Sequence, residues 1–139
     1  MRLWHKDLIP VLPRRQLLGQ WRECCMIAKN ISEHGTPNHL LVNKIMDYPI
    51  SDFFHYGLLV ESEMIRRGYD CDFQRFAQHF DHPSLISTYF DSRLLYPDWH
   101  NLRYLRQCFS NLQEKFDCGG IPVGEWATLC EYVKGVDLE

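Results

Sequence analysis

Apolar residues recur at intervals of three and four along most of this chain, and proline or glycine closes each run. That spacing lays one apolar stripe along an α-helix, whereas on a strand it would scatter the same residues over both faces. The first stripe is Leu17, Trp21, Cys24 and Ala28, preceded by Pro13, which suits a first helical turn where its missing N–H costs nothing. About four turns are expected there. The polar segment Ser32 to Asn38 reads as a loop, with Thr36 capping and Pro37 opening a short helix through Ile45. After Pro49, Ser51 or Asp52 is the expected cap of a long amphipathic helix bearing Phe54, Leu58 and Ile65. Gly68 behind Arg66 and Arg67 is its expected stop. Residues 70 to 97, broken by Pro83 and Pro97, form a long irregular connection whose aromatic pieces fit short helices or irregular chain. Asp98 is the expected cap of a helix carrying Leu102, Leu105, Phe109, Leu112 and Phe116, stopped by Gly119 and Gly120. A last helix opens at Pro122, sets Trp126, Leu129, Cys130 and Val133 on one side, and ends near Gly135. Nothing reads as a sheet, so the expected fold is all-α.

A chain of 139 residues fits one compact domain spanning residues 1–139. With 45% hydrophobic and 24% charged residues it is neither disordered nor fibrous. No apolar run approaches the ~20 residues of a membrane-spanning helix, and the opening MRLWHKDLIPVLP lacks the apolar stretch of a secretory signal. A soluble, cytoplasmic protein with no membrane partner is therefore expected. Four of the six cysteines fall in helically spaced stretches, where reduced thiols act as small hydrophobes. Adjacent Cys24 and Cys25 lack the spacing with which two sulfurs reach one ion, so no metal site is expected.

The net charge of −3 argues against coating nucleic acid by bulk electrostatics, but the charge is unevenly spread. Residues 1 to 29 hold Arg2, Lys6, Arg14, Arg15, Arg22 and Lys29 against only Asp7 and Glu23. The rest of the chain is strongly acidic. Positive potential is thus concentrated near the amino terminus, where a phosphate backbone could dock, although an ordinary solvated helix face would carry the same charges. Glu23 is the exception within this stretch, a carboxylate next to Arg22, whose charge favours its ionised form. His39, at a helix start, and His5, near the terminus, are candidates for proton transfer, with His100 behind them; each could equally be a packed, hydrogen-bonded residue. The aromatics from Phe73 to Phe90, with Trp99, fit either a core or a stacking surface for bases.

The stretch RRQLLGQWRECC resembles the first helix of the phage-type pyrimidine-dimer DNA glycosylases, the endonuclease V type, and Trp21-Arg22-Glu23 matches their aromatic-Arg-Glu triplet without a gap. A second likeness runs from His39 through HLLVNKIMDYPISDFFHYGLLVESEMIRRGY to the ending Arg67-Gly68-Tyr69, and a fainter one covers Asn101 to Phe116. The opening MRLWHKDLIPVLPRRQLLGQWREC is also similar to a bacterial branch of that family.

The resemblance implies an all-α glycosylase with associated AP lyase activity on damaged double-stranded DNA, needing no cofactor; a monomer is expected. It implies a nucleophilic terminal amine, Glu23 as acid/base and charge stabiliser, and Arg2, Arg14, Arg15, Arg22 and His39 on the DNA. An α-amino group, with an ordinary pKa of about 8 against about 10.4 for lysine, supplies a neutral nucleophile near neutral pH. The family's amine belongs to a small residue at position 2, exposed when the initiator Met is removed. Arg2 occupies that position here, and its bulk opposes the removal, so the free amine belongs to Met1. Met1 in a shifted register, Lys6 as a substitute, or a scaffold without lyase chemistry all remain open at this level. A non-catalytic module binding nucleic acid, nucleotide or protein through the basic first helix is the alternative function.

Overall fold

A computed structural model describes residues 1–136 of the chain. Among these residues five α-helices and four short 3-10 helices occur, and no strand. The α-helices are α1 (Arg14–His34), α2 (Ile50–Arg66), α3 (Gln74–Ala77), α4 (Leu102–Asp117) and α5 (Val123–Lys134). The 3-10 turns cover Lys6–Val11, Asn43–Asp47, Pro83–Leu85 and Ser92–Leu94. The fold is all-α, and no helix among the described residues is long and apolar enough to cross a membrane.

The predicted first stripe is the buried face of α1: Leu17, Trp21, Cys24 and Ala28 are all buried, together with Ile27. The helix is longer than expected. Ser32, Glu33 and His34 do not end it, because as exposed polar residues they continue its solvent face. The stop is Gly35, which takes the left-handed conformation (φ 77°) that closes a helix and donates its N–H to the Ile31 carbonyl at 2.8 Å. Thr36 and Pro37 therefore open no helix, and the next regular turn is the 3-10 segment Asn43–Asp47. At the start of α1, Pro13 stands outside the helix, and the Arg14 N–H finds a distant acceptor in Glu125 Oε1 at 2.9 Å. This meets the need of one unpaired donor at the helix end.

Neither Ser51 nor Asp52 caps α2, since Pro49 holds the cap position and both lie inside the first turn. The buried face is Phe53, Phe54, Tyr56, Gly57, Val60 and Met64; of the expected stripe Phe54 is buried, Leu58 is half-buried and Ile65 is 57% exposed. Gly57 is there for space: a Cβ on it would lie 2.2 Å from Phe76 Cε2, so α3 drives its ring onto the backbone of α2. The helix stops at Gly68 as expected, through bonds from Gly68 N–H to Ile65 O and from Tyr69 N–H to Met64 O, both 2.9 Å. Near this end Glu63 is buried and clamped by Arg66 and Arg67, whose guanidinium groups reach on to the Pro10 carbonyl. Burial alone would raise the Glu63 carboxyl, but the arginine hydrogen bonds and charges hold it below its ordinary value.

Residues 70 to 97 contain α3 and two 3-10 turns in otherwise irregular chain. Most of their aromatics serve the core: Phe76 and Phe80 pack on Phe53 and Phe54, and half-buried Phe73 stacks on Trp21 at 6.1 Å, whereas Tyr89 is exposed and Phe90 stacks on His55. Trp99 is buried as well. Asp98 does not cap α4. Asn101 does, accepting the Tyr104 N–H at 2.9 Å. The inward face of α4 is Leu105, Cys108 and Leu112, while Phe109 and Phe116 stack on Trp126 of α5 and Leu102 faces solvent. Of the expected face of α5 only Leu129 is fully buried.

Candidate active site at the amino terminus

The first residues form no helix, so their backbone groups must find partners elsewhere. They find them in side chains from three helices. Gln20 of α1 accepts the Trp4 N–H on Oε1 at 2.7 Å and donates from Nε2 to the Arg2 carbonyl at 3.0 Å. Tyr56 of α2 donates its hydroxyl to the Trp4 carbonyl at 2.6 Å, and Tyr104 of α4 donates to the Leu3 carbonyl at 2.6 Å. Leu3 and Trp4 are buried, which seats the segment in the core rather than over it.

Gln20 and Glu23 are three residues apart on α1 and share a face, so the chain held by Gln20 is delivered to Glu23. The Met1 nitrogen lies 4.0 Å from Glu23 Oε1, and the Arg2 N–H donates to Glu23 Oε2 at 3.5 Å. Met1 is 16% exposed and Glu23 32%, so the pair is partly sheltered and still open to a ligand. Chemically this is a primary amine beside a carboxylate that can carry protons to and from it.

Arg2 connects the pair to a cleft of about 480 Å³ between the turn after α1 and the helix α4. Its side chain lines the cleft with Tyr104, Gln107, Ser110 and Asn111, lies 5.1 Å over the Trp4 ring, and reaches Cys108 Sγ at 4.0 Å. Met1 and Glu23 are not part of that lining. Burial is the main reason the Tyr104 hydroxyl is pushed above its ordinary range, which keeps it a donor.

The other candidates separate. Arg22, the next residue along α1, is turned about 100° from Glu23, and it lines a different cleft with Trp21, Lys29 and Arg75. Arg14 and Arg15 lie nine and eight residues before Glu23, about 12–14 Å along the helix axis. Arg14 is 5.6 Å over the Tyr69 ring, and Arg15 is exposed. Among the described residues His39 bonds within its own turn: its N–H donates to Asn43 Oδ1 at 3.0 Å, and its Nδ1 accepts the Leu41 N–H at 3.3 Å. Lys6 is buried, with Nζ donating to the carbonyls of Arg93 and Leu95 at 3.0 and 2.5 Å, so it holds the irregular segment in place.

His5 and His100 are buried with rings 5.2 Å apart. His100 Nδ1 accepts the Lys6 N–H at 2.9 Å, and burial is the chief cause holding its pKa well below the ordinary value. These are neutral packing residues. Cys24 and Cys108 are buried free thiols and Cys118 is exposed. Among the described residues no cluster of three or more His, Cys, Asp or Glu is arranged to hold a metal.

Sequence reading missed Gln20, Tyr56 and Tyr104, the residues that fix the terminus, and it missed Arg75 beside Arg22. Only Gln20 left a local trace, being one turn before Glu23 on the same face.

Comparison with curated proteins finds no match, and comparison with solved structures finds none either. The family model described as pyrimidine dimer DNA glycosylase matches residues 1–87, a span that holds α1, α2, α3 and the tethered terminus and stops before α4. With well over half of its length matched, the chain belongs to the pyrimidine dimer DNA glycosylase family.

Proposed function

We propose that this protein excises damaged pyrimidines from double-stranded DNA and then cleaves the strand as an AP lyase, with the Met1 amine as nucleophile and Glu23 as acid/base. The supporting observation is the 4.0 Å separation between the Met1 nitrogen and Glu23 Oε1, on a terminus tethered by three helices. The neutral amine attacks C1′ of the extruded nucleotide, the C1′–N bond breaks, and the base leaves with the bonding pair and a proton. Glu23 balances the developing positive charge on the sugar and takes the proton from the attacking nitrogen. Ring opening gives an imine between Met1 and C1′. Loss of a 2′ proton then expels the 3′ phosphate, and water releases the enzyme.

Arg22, with Lys29 and Arg75 in one cleft, suits phosphates flanking the lesion, because guanidinium forks pair with phosphate oxygens. Arg2 stands between the reacting pair and the larger cleft. Arg14, Arg15 and His39 fit a more distant part of the duplex. The protein would work on chromosomal DNA in the cytoplasm as a monomer.

The test is borohydride trapping on duplexes bearing a pyrimidine dimer or an abasic site. A covalent adduct at Met1, absent from Glu23→Gln on the dimer substrate and from protein acetylated at the terminus on both, is expected. No adduct with unmodified protein would reject the amine mechanism and leave a DNA-binding module.

A further inference from the structure

The turn between α1 and α2 carries two leucines that the core does not use. Leu40 is 86% exposed and its neighbour Leu41 is 50% exposed. The turn beneath them is braced. The His39 carbonyl accepts the N–H groups of Val42 and Asn43 at 3.0 and 2.9 Å, Asn43 Oδ1 accepts the His39 N–H, and Val42 and Ile45 are fully buried. The leucines are therefore held outward by a fixed backbone and do not simply lack a place to fold.

Their surroundings are equally specific. Leu41 lines the cleft that Arg2 connects to the Met1–Glu23 pair, and Leu40 and Leu41 both line a second cleft of about 280 Å³ with Lys44 and Arg103. Tyr104 and Gln107 line both clefts, so the two make one groove along α4 with the leucines on its rim. Lys44 and Arg103 make no ion pair among the described residues, and along the whole groove the cations Arg2, Lys44, Arg103 and Arg106 outnumber the carboxylates Asp98 and Glu114. An exposed apolar tip on the rim of a groove with an excess of cations fits a polyanion with an apolar interior, which is duplex DNA. Proteins that distort DNA insert apolar side chains between base steps while cations hold the phosphates on either side.

We infer that Leu40, backed by Leu41, is a wedge that enters the base stack and fills the gap left by a nucleotide extruded from the duplex. The inference rests on the glycosylase reading, because only an enzyme that empties the stack needs a filler. It gives His39 a positioning role, as the hub of the turn that aims the leucine, in place of proton transfer. Extrusion breaks the pairing and stacking of the nucleotide, and a filler lowers its tendency to return.

The experiment uses the full chain with Leu40→Ala and, as conservative rescue, Leu40→Met. Leu40 is so exposed that the unfolding midpoint should not move. Unstacking is read from the fluorescence of 2-aminopurine placed beside the lesion, which brightens when its neighbour leaves. Leu40→Ala should lose most of that rise and slow base excision from duplex about tenfold, while trapping on single-stranded abasic DNA stays unchanged. Leu40→Met should restore both.

A Leu40→Ala protein that unstacks DNA like the wild type, or that loses trapping on single strands to the same degree, overturns the wedge. So does a shift in oligomeric state on sedimentation, which would assign the leucines to a contact between copies. Should wild-type protein form no adduct at all, the glycosylase reading fails alone. The fluorescence rise still decides the wedge, supporting it if Leu40→Ala abolishes the rise and overturning it if there is none to abolish.

Discussion

Gln20 and Trp4 share a 2.7 Å hydrogen bond where both are almost wholly removed from water, and through it a side chain of α1 determines where the polypeptide begins. The same amide turns its NH₂ to the Arg2 carbonyl, so one residue satisfies a donor and an acceptor of the terminal segment. Glu23 lies on the same face one turn further along. The candidate chemistry thus depends on a residue that takes no part in it.

Replacing Gln20 with Leu should separate anchoring from chemistry. It leaves the buried Trp4 N–H unpaired, at about 1–3 kcal/mol, and frees the partly buried Arg2 carbonyl. The urea midpoint should fall accordingly, and trapping at an abasic site should drop even under conditions where the variant is fully folded. A variant that is destabilised but traps normally would show that the amine reaches Glu23 without this tether.

Arg22, Lys29 and Arg75 should reveal themselves through salt. Removing one cation that pairs with a phosphate makes the slope of log affinity against log salt shallower by about 0.9. Binding of undamaged duplex, measured from low to moderate salt, should show that reduction for each alanine substitution in the cleft these three share. A slope unchanged in the triple variant would put the phosphates on another face.

His100 predicts an acid limit to stability. Burial holds its folded pKa well below the ordinary histidine value, so the unfolded chain takes up a proton near pH 6.5 that the folded chain refuses. The unfolded state then binds more protons, and stability falls as pH drops below about 6.5. His5 is lowered for the same chief reason and acts in the same direction. Urea titrations at about pH 7.5 and 5.5 check this: wild type should weaken over that interval, and His100→Asn, which keeps an acceptor for the Lys6 N–H, should weaken less.

Gly57→Ala tests the seat of α3. The added methyl would fall 2.2 Å from the Phe76 ring, too close for any rotamer shift of a fully buried phenyl to relieve cheaply. Overpacking of this kind costs about 1–3 kcal/mol, read as a lower urea midpoint at unchanged slope. Adding Phe76→Leu should recover part of the loss, since the smaller side chain vacates the space.

Much of the helical plan could be read directly from the amino-acid order, because its causes are local. A stripe such as Leu17, Trp21, Cys24 and Ala28 needs only the period of the helix, and Gly68 and Gly119 end α2 and α4 through backbone geometry that few other residues tolerate. Where the reading slipped, as at Ser32 to His34 and at Asp98, a polar residue was compatible with both a loop and a helix surface or cap, and neighbouring glycine or asparagine decided the matter.

The meeting of the terminus with Glu23 has no such local cause. It requires Gln20, Tyr56 and Tyr104, which lie 16, 52 and 101 residues along the chain from the backbone groups they hold. No periodicity links partners so far apart. Residue order settled which segments coil and which family the first 87 residues match. Only packing of α1, α2 and α4 around residues 1 to 4 could bring an amine to a carboxylate, because buried backbone groups must be paired and these side chains were what the folded core had to offer.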